Sequence, residues 1–218
     1  AEHIHACFAL DRFCVEHPEF LEKNRYGETI PGKLCLAYPE VRRFHIAIAE
    51  EALRMGCDGI LLDTLRQLPK VLYGDPVVDM FRKRHGVDMR ELPPFDARVT
   101  SLQNEVMTTF LRELREAMQS ANPEAKLHVR VGKARPLMGC DPGVWAREGI
   151  VDAILVNHRA ITPTEPDTAE LVETIKGTEV LPGACFAREY WNGERLPLHP
   201  YRVERQVRTY RADGARVI

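Results

Sequence analysis

The run CDGILLD, residues 57–63, is apolar, strand-length and closed by a carboxylate, Asp63. An acid at the C-terminal end of a parallel strand can serve as general acid, general base, nucleophile or metal ligand. It can equally cap the turn that follows or pair with Arg66, three residues on. A second run, LHVRV at 127–131, sets Leu127, Val129 and Val131 on one face and His128 and Arg130 on the other. If the apolar face meets helices, His128 and Arg130 line the opposite side of the sheet. There Arg130 could pair with Asp63 or bind substrate oxygens. A purely structural buried ion pair would carry the same signature.

Further groups lie near other strand-like runs. His3 and His5 share a face of residues 4–10, and Asn157 and His158 follow the run 151–156. An H-x-H pair with later histidines, His128 and His158, could form the donor set of a metal-dependent barrel hydrolase. The carboxylate ligand usual for such a site is not evident on the last strand, so no metal or cofactor is assigned. The stretch CFAREYWNGE, residues 185–194, brings Glu189, Tyr190 and Trp191 together. Aromatic rings beside carboxylates suit a sugar, whose ring face stacks while its hydroxyls bind polar groups. Trp191 could also simply cover the rim of the core. The six cysteines, at 7, 14, 35, 57, 140 and 185, form no C-x-x-C pair, and read as small buried residues rather than a zinc site.

The elements that must position these groups alternate. Helical periodicity starts at Pro39 and stops at Gly56, with Val41, Phe44, Ile48, Ala52 and Met55 on one face. Asp75-Pro76 and Asp141-Pro142 each read as an N-cap before a first-turn proline. Further helices are expected over 100–119, 167–176 and 200–212. Between them lie short apolar runs at 4–10, 59–63, 127–131, 151–156, 180–184 and 215–218. Strands alternating with helices predict a parallel sheet with crossover helices. Six strands, with a long polar-aromatic loop at 11–38 and no glycine-rich phosphate loop, favour a (β/α)8 TIM-type barrel cut inside its first and last units over an open doubly wound sheet. In that barrel Ile60 and Leu62 face the helices, and Gly59, Leu61 and Asp63 face the lumen.

Composition bounds the rest. The 218 residues are 44% hydrophobic and 28% charged, with a net charge of -2, enough for one core and one domain, 1–218. No basic patch suggests a nucleic-acid surface, and no apolar run is long enough to cross a bilayer. The N-terminal AEHIHACFAL lacks the layout of a signal peptide, which leaves export neither shown nor excluded.

The block LAYPEVRRFHIAIAEEALRMGCDGILLDTLR resembles the glycosyl-hydrolase-like (β/α)8 barrel family related to glycoside hydrolase family 10. In that family a YPEVR helix start leads to a DGI-x-LD strand and an arginine shortly after. HIHACFAL resembles its third barrel strand, CDGILLD its fourth, REGIVDAILVNH its sixth with the helix before it, and YRADGARVI the start of its eighth. FRKRHGVDMRELPP resembles the helix after strand four, and this order implies a (β/α)8 TIM-type barrel lacking the first two strands. The resemblance implies a barrel that binds or hydrolyses a poly- or oligosaccharide at its C-terminal face, with a carbohydrate as partner, and it favours an exported protein. It implies Asp63 as acid/base and Glu189 as second carboxylate. Arg66, His128, Arg130, Asn157, His5, Tyr190 and Trp191 would hold the sugar. Family 10 enzymes carry an Asn-Glu pair after strand four and a Glu on strand seven, whereas Leu62 precedes Asp63 here. A carbohydrate-binding barrel without catalysis and a metal-dependent hydrolase are the other two readings.

Overall fold

A computed structural model describes residues 12–64, 70–93, 95–132, 139–156, 168–185, 190–191, 194–195 and 199–218. The first helix α1 is Arg12–Glu16, followed by a 3-10 turn at Pro18–Phe20. The strands β1 (Leu21–Lys23) and β2 (Thr29–Leu34) then pair antiparallel. Helix α2 is Pro39–Arg54, β3 is Gly59–Asp63 and α3 is Asp75–His85. A 25-residue helix, α4, spans Ala97–Ala121 and leads to β4, Lys126–Val131. The rest alternates: α5 (Pro142–Arg147), β5 (Ala153–Val156), α6 (Thr168–Thr174) and β6 (Leu181–Ala184). The short strands β7 (Tyr190–Trp191) and β8 (Glu194–Arg195) pair antiparallel before α7, Pro200–Ala212.

The strands β3, β4, β5 and β6 form one parallel sheet in sequence order. A parallel bridge from Gly183 to Val217 adds the last apolar run at the β6 edge. Among the described residues the sheet is open, and the expected strand at 4–10 lies outside them. The architecture is α/β with crossover helices, as the alternation predicts.

One face of the sheet carries the core. Ile60, Leu127, Val129, Val131, Ile154 and Val156 pack there against Val41, Phe81, Leu102, Leu111 and Trp145 of the helices. Leu127, Val129 and Val131 are wholly buried, which removes most of their apolar surface from water. Parity then turns Asp63, His128 and Arg130 to the other face.

Several boundaries differ from the expected ones. Helix α4 begins at Ala97 because Asp96 caps it, its carboxylate accepting from Arg98 N–H at 2.9 Å. Asp141 caps α5 as expected, accepting from Val144 N–H at 3.0 Å. Asp75 is not a cap: Gly74 holds that place and Asp75 stands in the first turn, where its charge suits the helix N-terminus. The hairpin β1–β2 falls inside the stretch expected as a loop. Its strands are short, and its turn is closed by Gly27 at φ 84° and by Asn24, whose side-chain oxygen accepts from Tyr26 and Glu28 N–H.

Candidate active site

Parallel register aligns the sheet's open face in rows. Asp63 is level with Arg130, Arg130 with Leu155 and Leu155 with Gly183. This row stands at the C-terminal ends of the strands, where functional groups of such folds gather.

Asp63 and Arg130 form a two-pronged ion pair. Arg130 Nε donates to Asp63 Oδ1 at 3.2 Å, and Nη2 donates to Oδ2. Both carboxylate oxygens thus accept from a permanent cation. Burial by itself lowers the Arg130 pKa, but the Asp63 carboxylate and the Cys185 side chain outweigh it and raise it above the ordinary value. The Asp63 side chain is 2% exposed and that of Arg130 is 19%, so a ligand arriving from solvent meets the guanidinium first.

The backbone beside the pair is pinned. Thr64 donates to the Arg130 carbonyl twice, through N–H at 3.1 Å and Oγ1 at 2.7 Å. Cys140 Sγ donates to Thr64 Oγ1 at 3.6 Å. Composition and motif reading passed over Thr64 and Cys185. Their signal was positional: one follows Asp63, and the other follows the β6 strand whose Gly183 shares its row.

His128 lies one row lower, level with Leu61 and Ala153. It lines an open cleft of about 820 Å3 with Arg115, Lys126, Asp152 and Glu179, at the N-terminal ends of the strands. Burial lowers its pKa, against the pull of Asp152. Asp152 is itself held by Arg115 Nη1 at 2.7 Å and Leu127 N–H at 2.8 Å. These outweigh burial and keep its carboxyl below the ordinary value. The structure therefore brings Arg130 to Asp63, and sets His128 toward the other end of the same sheet face.

His3, His5, Arg66, Asn157, His158 and Glu189 lie outside the described residues. Tyr190 and Trp191 are described as backbone, in β7. Among the described residues no group of three or more His, Cys, Asp or Glu side chains could hold a metal ion. Nor is any described helix long and apolar enough to cross a membrane. Among the described residues no disulfide joins Cys14, Cys35, Cys57, Cys140 or Cys185.

No family model matches the sequence, and no curated protein matches it. Solved structures do. The β-galactosidase of Bacillus circulans sp. alkalophilus superposes with a TM-score of 0.63 at 14% identity, over 94% of this chain and 38% of that one. The β-galactosidase of the psychrophilic Marinomonas ef1 gives a TM-score of 0.53 at 9% identity, over 70% of this chain and 29% of that one. The likeness is one of fold. This chain spans well under half the length of either enzyme. At such identity backbone topology is shared, while residue roles do not transfer.

Proposed function

We propose that the chain is the core of a glycoside-hydrolase-type barrel that takes a poly- or oligosaccharide at the C-terminal ends of its strands. The observation that carries this is a carboxylate, Asp63, at the C-terminal end of β3 on the sheet face opposite the core, in a fold shared with two β-galactosidases. Asp63 does the work of an ionised group here: it stabilises positive charge developing on the sugar, and it aims Arg130 at sugar hydroxyls. The proton donor must be another acid. Glu189 is the candidate, with Arg66, Asn157, His5, Tyr190 and Trp191 as sugar contacts. The two-pronged contact with Arg130 supports this charge-stabilising role for Asp63 beside the acid/base role that the resemblance implies.

The burial of Asp63 favours a second reading, a barrel that binds carbohydrate without hydrolysing it. Reducing-sugar release from a panel of polysaccharides separates the two. Hydrolysis by the wild-type chain that falls at least about a hundredfold in both Asp63→Asn and Glu189→Gln supports the catalytic reading. Binding by calorimetry with no hydrolysis supports the second. Hydrolysis untouched by Asp63→Asn removes Asp63 from either account.

A further inference from the structure

The hairpin β1–β2 meets the segment 70–75, which leads from the end of β3 into α3, around a carboxylate sealed from solvent. Glu22 on β1 is 0% exposed. Its Oε1 accepts from Leu72 N–H at 3.1 Å and its Oε2 from Gly74 N–H at 3.0 Å. The Cys35 thiol makes a further hydrogen bond to it, and the Lys33 ammonium attracts it. Lys33 on β2 is 8% exposed, and Lys70 acts on it from the facing segment. At the rim, Tyr73 N–H donates to the Lys23 carbonyl at 3.2 Å, and Lys23 Nζ holds both oxygens of Asp75 at 2.7 and 2.6 Å. The fit is close: a Cβ on Gly74 would stand 2.5 Å from Cys35 Sγ and 3.2 Å from Glu22 Oε2.

We propose that Glu22 and Lys33 form a proton-operated clasp between the hairpin and the segment 70–75, weakest when both groups carry charge. Each group loses the hydration of its charged form on burial, and the Leu72 and Gly74 amides return only partial charge to Glu22. A local opening that wets them recovers it. Protonation of Glu22, or loss of the Lys33 proton, removes that group's own burial cost and tightens the clasp.

The titrations agree with this. Burial pushes the Glu22 carboxyl up to about 7, against the Leu72 and Gly74 amides and Lys33. Burial pulls the Lys33 ammonium down to about 8, against Glu22. Burial and Glu22 push the Cys35 thiol up, so it remains a neutral donor. A carboxyl whose closed-state pKa is raised favours closure fully below its open value of 4.5, and that advantage is lost as pH rises through about 7. An ammonium whose closed-state pKa is lowered favours closure again as pH climbs from about 8 toward its open value of 10.5. The clasp is therefore loosest between about 7 and 8.

Amide hydrogen exchange on the intact chain tests this, read at Leu72 and Gly74 and corrected for intrinsic rates. The opening constant is expected to be at least about tenfold larger at pH 7.5 than at pH 5, and to fall again toward pH 9.5. Lys33→Met is expected to erase the alkaline limb and to move the acid limb upward, because the lost cation raises Glu22. Glu22→Gln is expected to flatten the acid limb. Protection that is flat with pH, or that grows steadily from pH 5 to 8, overturns the proposal. Should Glu22→Gln not fold, the carboxyl carbon of Glu22 in the wild-type chain is followed by NMR: a midpoint near 7 is expected, and one at or below 5 overturns it.

Discussion

Asp63 and Glu22 are both carboxylates shut away from water, and they meet different partners. Asp63 faces a guanidinium that matches both its oxygens. Glu22 faces two backbone amides, a thiol and a lysine. A delocalised cation in fork geometry compensates a buried charge directly, and Arg130 keeps its own proton throughout the accessible pH range. Amides supply partial charge only, so burial prevails at Glu22 and its carboxyl rises to about 7. Burial alone therefore does not say what a carboxylate does. The partner decides whether the buried charge is met in fork geometry or left for burial to act on.

The largest effect expected from breaking this comparison is at Arg130. Arg130→Met leaves Asp63 buried without its cation and should cost about 3 kcal/mol of stability in urea unfolding. The double variant Asp63→Leu/Arg130→Met should recover much of that loss, because no uncompensated charge remains. A double variant no better than the single one would show that the pair is net stabilising.

Gly74→Ala strikes the other carboxylate. Its methyl would press on Cys35 Sγ and Glu22 Oε2, and such overpacking costs about 1–3 kcal/mol. The same unfolding curves measure it, and a neutral outcome would mean that the hairpin and the segment part easily.

His128 provides a smaller, pH-dependent contrast. Burial lowers its pKa below 6.5. It therefore contributes stability above that value, and the contribution fades as pH falls through the folded-state pKa. His128→Gln should shallow the acid side of the stability profile. The smallest change is expected for Glu204→Ala, which removes an exposed pair with Arg208 on α7. Its urea midpoint should match the parent, as expected for screened surface charges.

Much of the fold was legible because its signals are local. CDGILLD and the β4 run are apolar, short and followed by turns, and their observed spans, Gly59–Asp63 and Lys126–Val131, agree with the reading to within a residue. The α7 span, Pro200–Ala212, was marked by its opening proline. The hairpin was not legible: its strands of three and six residues carry no strong alternation, and a contact with residues 70–75 stabilises it. Asp75 was misjudged as a cap because an Asp-Pro pair suits the cap and the first turn alike.

At the candidate site the same division holds. Side-chain parity along a strand is a property of the chain, so the sequence by itself determined that Asp63 lies opposite Ile60 and Leu62, and that His128 and Arg130 share a face. It also marked Asp63 as the strand's closing residue. Inter-strand register is not a local property. Only the tertiary structure decided that Arg130 is level with Asp63 while His128 is level with Leu61. A shift of two residues would have kept every face and exchanged the partners. The burial of Glu22 was likewise decided by the approach of a segment some fifty residues away in sequence.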